Sequence, residues 1–478
     1  MFSAFSALSA RARTGRRPGA ARLAAATLTS GLVVAGVLAT AGTAVAEETP
    51  QSPGGATATI TGLKTYGTAV IRENGEEQQV SAGLFEMSVE GGGMLQTYCV
   101  DAHNPTQRDA KYHETPWSGT SLDGNKDAGR IRWILQNSYP QVNDLAALAG
   151  KAGAAGLTEQ DAAAGTQVAI WRYSDGADVE AVDPEAEKLA DYLQKSARNL
   201  AEPGASLTLD PPAVSGHTGE RLGPVTVHTN ADSVTVTPPV AAMAAGVKVV
   251  DESGKVVTSA VNGSRVYFEV PEKAAAGSAE LTLQASTTVP VGRAFASETR
   301  SQTQILAGSS ESTVSAVARA NWAKEGAIPA LSAEKNCAAG GVDIKAANVG
   351  DEPFTFDLMG IRHTIDAGTT ETVTIPLQED QAYDFTIRGP NGFEEQIKGV
   401  LDCATETEAA EGGDSVQTLS EPSPATAGAA STTGTDLAET GSSGATLLIA
   451  GAAIALVVVG GGALLLARRR NSPSQEQE

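Results

Sequence analysis

Residues 158–176 read TEQDAAAGTQVAIWRYSDG. Thr158, followed three residues later by Asp161, has the pattern of a capping box that opens a helix. Gly176, just after Ser174-Asp175, offers a left-handed stop. Between them the spacing predicts one helix on which positions 163, 164, 167, 170 and 171 share a face, because residues three and four apart are neighbours. That face consists of Ala163, Ala164, Gln167, Ile170 and Trp171, so the amide of Gln167 stands in the middle of an apolar stripe. A buried amide without a partner costs roughly a few kcal/mol. Gln167 therefore needs a partner, and a neighbouring loop is the ordinary one.

Upstream, Ile131, Ile134, Leu135 and Tyr139 are spaced for a first helix face within the helical stretch from Asp127 to Asp175, and a further helical segment runs over 184–200. Before these, residues 57–107 read as strands, with Leu84 to Glu90 and Met94 to Val100 alternating around the turn Gly91-Gly92-Gly93. The expected fold is multidomain: an α+β domain over 57–200, then two β-sandwich modules of immunoglobulin type over 205–310 and 330–403. Short alternating pairs such as Val225/Val227 and Val234/Val236 mark the first module, and Val342/Ile344 and Phe354/Phe356 the second. With 51 glycines and 4% aromatic residues, the cores should be small.

The two ends carry address signals. Residues 1–46 have the form of a signal peptide: five arginines, an apolar stretch from Leu23 to Ala41, and the small-residue site Ala44-Val45-Ala46. After Cys403 comes an Ala/Thr/Ser/Gly/Glu-rich stretch without periodicity, expected to be a disordered stalk over 404–436. It leads to Leu437-Ala438-Glu439-Thr440-Gly441, an apolar run over 445–467 long enough to span a bilayer, and a basic tail over 468–478. This order resembles the sorting signals of Gram-positive wall proteins, in the LAxTG variant. The resemblance implies cleavage between Thr440 and Gly441 by a sortase and attachment to peptidoglycan, hence an exported, wall-anchored protein. Removing leader and tail takes the formal charge from −22 to about −28, since the leader carries five Arg and residues 441–478 carry three Arg against two Glu. Such a surface repels nucleic acid.

Of three cysteines in an oxidising compartment, Cys337 and Cys403 bracket the last module and are expected to form a disulfide, which leaves Cys99 over. Cys99 has an ordinary structural reading as a small buried hydrophobe. A cysteine hydrolase or a zinc site would draw on His103 and His113, but no nucleophile turn accompanies the first and no fourth ligand the second. No metal or other cofactor is expected, nor any dedicated enzyme constellation.

Tyr98-Cys99-Val100-Asp101 followed by Thr166-Gln167-Val168-Ala169-Ile170-Trp171 resembles the paired signature of the thioester domains of Gram-positive surface proteins, over roughly residues 57–200. The resemblance implies an internal thioester between the sulfur of Cys99 and the side-chain carbonyl of Gln167, formed with loss of ammonia. It also implies an adhesin that couples covalently to an amine, such as a lysine, of a target protein. Each molecule would consume its own electrophile, so the expected class is a covalent binding module and not an enzyme. A structural wall protein without the bond is the alternative. The leaving thiol is expected to have an ordinary pKa near 8.5. Tyr98, Trp171 and Tyr173, with Trp133 and Trp117 behind them, are the candidates for a wall that excludes water, and Asp101 and His103 lie near enough to be considered as a base. The β-modules are expected to hold the reactive head away from the wall.

Overall fold

In a computed structural model, residues 54–238 and 240–405 are described. The leader, the stalk beyond residue 405, the Leu437–Gly441 motif, the apolar run 445–467 and the basic tail lie outside the described residues. Among those described, no helix is long and apolar enough to cross a membrane.

The chain opens with two long antiparallel strands, β1 (Thr57–Glu73) and β2 (Glu76–Val89). They are joined by the two-residue turn Asn74-Gly75, whose positive φ angles of 50° and 84° suit the twist of a hairpin. The three glycines 91–93 then turn the chain into β3 (Met94–Cys99), and β4 (Lys111–Thr115) follows. Helices α1 (Ala128–Asn137), α2 (Leu145–Ala152) and α3 (Glu159–Ser174), the short strand β5 (Val179–Ala181) and α4 (Pro184–Ser196) complete the first domain in sequence. The expected capping box is present: Thr158 Oγ1 accepts from Asp161 N at 3.1 Å, and Thr158 N donates to Asp161 Oδ2 at 2.9 Å.

Helix α3 is not amphipathic. Every residue from Ala162 to Trp171 is buried, because β1 and β2 cover one side and α1 and α4 the others. Its small residues permit this close packing: a Cβ on Gly165 would stand 2.4 Å from Ala186 O of α4.

The first sheet requires a part of the chain that the sequence assigns elsewhere. Strands Ala294–Ser297 and Gln304–Ser309 form a hairpin that inserts between β3 and β4, in the order β2, β3, Gln304–Ser309, Ala294–Ser297, β4, β1. Since β1 also pairs with β2, these pairings close into a six-strand ring. The boundary expected at residue 310 is thereby corrected. The middle module uses residues 207–288, then lends the hairpin to the first domain, and resumes with Glu311–Ala323. An unpaired edge on β3 and β4 would leave backbone donors and acceptors open, and the hairpin satisfies them.

The middle module itself has two sheets. One contains Leu207–Asp210, Arg221–Thr229, Lys248–Val250 and Arg265–Glu269; the other contains Ala213–His217, Val234–Thr237, Ser259–Ala260, Gly277–Thr288 and Glu311–Ala323. Their apolar residues, among them Val225, Val227, Phe268, Leu281, Leu283 and Trp322, share one core with the first domain. The distal module is built from three small sheets around a separate core that includes Leu331, Ile344, Phe354, Ile375 and Ile397. Cys337 and Cys403 are bonded across its ends, with Cα atoms 5.2 Å apart.

Candidate functional site

Strand β3 ends at Cys99 in an unequal setting. On one side it pairs with the hairpin, Tyr98 opposite Ile305 and Cys99 opposite Gln304. On the other side its pairing with β2 stops at Thr97, opposite Phe85. Successive residues of an antiparallel strand turn their N–H and C=O to alternate neighbours. Val100 N–H goes to the hairpin, at Thr303 O (3.1 Å). The N–H and C=O of Cys99 consequently face the side that β2 has left open.

Gln167 fills that place. Its Oε1 accepts from Cys99 N at 3.0 Å and its Nε2 donates to Cys99 O at 2.9 Å. The side-chain amide thus acts as a one-residue substitute for the missing strand. Both residues are buried, Cys99 at 1% and Gln167 at 0% exposure, so the amide that the helix face left in need of a partner finds it in the Cys99 backbone.

The sulfur lies among polar side chains. Gln304 Nε2 donates to Cys99 Sγ at 3.3 Å, and Thr106 Oγ1 is 3.6 Å from the same atom. Gln302 Nε2 reaches Thr106 Oγ1 at 3.0 Å. Burial pushes the Cys99 thiol up to about 12, reinforced by the charges of Asp101 and Asp175, while Thr106 and Gln304 pull it back. The expected ordinary thiol is therefore corrected: in this dry setting the thiolate is penalised.

Three carboxyl groups from separate parts of the chain approach the site. Asp101 Oδ1 accepts from His103 N (2.8 Å) and Asn104 N (3.2 Å), which fixes the loop after β3. Asp175, at the end of α3, accepts from Ala102 N through Oδ2 at 3.3 Å, and burial, followed by the charge of Asp101, raises its pKa well above the usual carboxylate range. Asp402 comes from the distal module, next to Cys403. It accepts from Thr303 Oγ1 at 3.1 Å, and burial brings its pKa to about 7.

The other residues singled out in the sequence fall in different places. Tyr98 is fully buried but stands on the opposite face of β3 from the sulfur, by the two-residue alternation of a strand; its hydroxyl donates to Tyr139 O at 2.9 Å. Trp171 is buried at 1% within α3. Tyr173 is only half-buried and faces α4, donating to Gln194 O at 2.6 Å with the Arg130 guanidinium over its ring. Trp117 is occupied by Gly292 O (2.9 Å), and Trp133 is half-buried on α1. His103 is paired with Glu73 at 2.9 Å and His113 with Glu298 at 2.5 Å, so both imidazoles are committed to carboxylates. Thr97, Thr106, Gln302 and Gln304 complete the polar surroundings of the sulfur, and no motif in the sequence marks them. The one cue in the sequence is Gln302 and Gln304, two apart, at the entrance to the apolar run 305–307.

Residues 96–199 match the family model of the thioester domain, and residues 329–400 match that of the C-terminal domain of bacterial phospholipase C. Among solved structures, the Bacillus anthracis TIE protein is 15% identical, with 74% of this chain and 81% of that one covered and a TM-score of 0.26. The thioester domain of the Enterococcus faecium TIE86 protein is 15% identical, covering 58% and 99%, also at 0.26. The E. coli chaperone DraB is 13% identical, covering 41% and 98%, at 0.15. Overlays with scores this low establish neither fold nor chemistry. No curated protein matches the chain. The matched segment, residues 96–199, takes in Cys99 at the end of β3 and the helix that carries Gln167, and over that segment the chain is similar to the thioester-domain family.

Proposed function

We propose that Cys99 and Gln167 condense to an internal thioester, and that the protein uses it to couple covalently to an amine of a target protein. The observation that carries this reading is the reciprocal pair of hydrogen bonds between the Gln167 amide and the Cys99 backbone. It holds the side-chain carbonyl beside the residue whose sulfur must attack it, as positioning for an intramolecular reaction requires. In the first step the sulfur adds to Gln167 Cδ. Charge then develops on Oε1, where Cys99 N–H already donates, so this backbone group serves as the oxyanion donor. Nε2 departs as ammonia, taking the thiol proton. In the second step a primary amine, such as a target lysine, attacks Cδ; an amide forms and the sulfur returns as a thiol. A thioester carbonyl is less resonance-stabilised than an amide, which gives the second step its direction. The burial of both residues excludes water, the competing nucleophile.

The leader and the terminal motif support placing this reaction outside the cell. In this reading the chain is exported, cut by a sortase between Thr440 and Gly441, and joined to peptidoglycan, so that it is an adhesin bonded at both ends. It performs one coupling per molecule and is a binding module, with no cofactor. The β-modules act as more than spacers, because the hairpin and Asp402 take part in building the site. Capture of the target under denaturing conditions tests the coupling. A partner should stay attached to the wild-type chain and be lost with Cys99→Ala, and a partner retained equally by both would overturn it.

A further inference from the structure

The burial that protects the thioester also makes Cys99 a poor leaving group, because a thiolate expelled into a dry site lacks the stabilisation that water would give. The side chains around the sulfur answer this. Gln304 stands directly opposite Cys99 across an antiparallel pair, which puts the two side chains on the same face about 5 Å apart at Cβ. Thr97, two residues before Cys99, shares that face and donates from Oγ1 to Gln304 Oε1 at 2.9 Å. This bond decides the orientation of the amide: with Oε1 held by Thr97, the NH₂ end is turned to Cys99 Sγ at 3.3 Å.

Thr106 is oriented by a similar count. Its oxygen accepts from Gln302 Nε2 at 3.0 Å and from Gln304 Nε2 at 3.3 Å. A hydroxyl has two acceptor sites and one hydrogen. With both acceptor sites used, the hydrogen remains for Cys99 Sγ, 3.6 Å away. The sulfur thus faces two donors, each fixed by a further hydrogen bond.

We propose that Gln304 and Thr106 are catalytic residues that receive the departing Cys99 thiolate, with Thr97 and Gln302 as positioning residues. The proposal rests on the thioester reading and adds a component from outside the segment matched by the family model. As the amine nitrogen bonds to Gln167 Cδ, the Cδ–Sγ bond breaks and the sulfur leaves with the electron pair. Gln304 N–H and Thr106 O–H stabilise it until the proton released by the amine nitrogen reaches it, giving an amide and a thiol. The middle module contributes to reactivity through its hairpin, and the rate of coupling depends on how that hairpin is seated.

The test compares the wild-type chain with Gln304→Met and Thr106→Val, which keep approximate shape and remove the donor. Each is brought to the ammonia-free mass, then treated with methylamine, and the growth of the amide product is followed by intact mass. Loss of one such donor should slow aminolysis by roughly a hundredfold. Thr97→Val should slow it less, and Thr97→Ser should restore it. Aminolysis of Gln304→Met and Thr106→Val at the wild-type rate would overturn the proposal while leaving the thioester intact, whereas a wild-type chain that never loses ammonia would overturn the thioester reading itself. A second measurement covers variants that fail to form the bond. In a Gln167→Ala background the thiol stays free, and its alkylation by iodoacetamide is followed against pH. Adding Gln304→Met should move the profile to higher pH, and coincident profiles would refute the role.

Discussion

Arg293 and Glu114 form a buried ion pair, Nε to Oε1 at 2.9 Å, with side-chain exposures of 5% and 0%. Arg293 leads into the inserted hairpin and Glu114 lies on β4, so the pair fastens the hairpin to the first domain. The same carboxylate accepts from Ser206 N at 2.9 Å and Ala56 N at 3.2 Å, and Arg293 also reaches Glu202 at 2.6 Å and Pro203 O at 3.2 Å. Breaking such a pair leaves an uncompensated buried charge, at a cost of about 3–5 kcal/mol. Arg293→Met should lower the unfolding free energy obtained from urea titration by an amount in that range. An unfolding free energy within about 0.5 kcal/mol of wild type, as for an exposed substitution, would show that the pair does not fasten the hairpin.

A fragment ending at residue 200 lacks two of the six strands of the ring and leaves the edges of β3 and β4 open. It should aggregate or fail to lose ammonia, whereas a fragment over 54–323 should fold and react. Intact mass and size-exclusion chromatography of both decide the matter, and a monomeric, ammonia-free 54–200 fragment would contradict the closed-ring account.

The pH dependence has a definite sign. Burial raises the folded-state pKa of Asp402 to about 7, above its usual 3.8. The folded state therefore holds a proton that the unfolded state has lost over most of this window, and stability falls as pH rises from about 4 to about 7. Asp175 is shifted in the same direction. Urea midpoints should be higher at pH 5 than at pH 7.5, and Asp402→Asn should flatten that slope. An unchanged slope in Asp402→Asn would assign the effect elsewhere.

The bond between Cys337 and Cys403, 66 residues apart, closes most of the distal module and is worth roughly 4 kcal/mol on the chain-entropy model. Cys403 also follows Asp402, which reaches the site through Thr303. Replacing both cysteines by serine should lower the melting temperature of the distal module and loosen that contact. Hydrogen exchange at residues 300–304 checks the second effect: protection should fall, and unchanged protection would argue against it.

What was legible in the sequence was local. The capping box at Thr158 and Asp161 involves two residues one turn apart, and the periodicity of Ile131, Ile134 and Leu135 places one buried helix face. The need of Gln167 for a partner followed from its position on an apolar face, although that face proved to be one side of a helix buried all round. The hairpin could not be read in this way. Gln304 pairs with a residue 205 positions away, and nothing in the alternation of 294–309 distinguishes a strand of the middle module from one lent to the first. Tyr173 faces α4 for a geometric reason: two residues beyond Trp171 on a helix is more than half a turn.

The central claim is the bond between Cys99 and Gln167, and the intact mass of the purified folded chain under non-reducing conditions tests it most directly. The account predicts a mass lower by one ammonia than the sequence gives, after allowance for the disulfide, and no such deficit in Cys99→Ala or Gln167→Ala. A wild-type chain at the full sequence mass, with a thiol that titrates on unfolding, would contradict it.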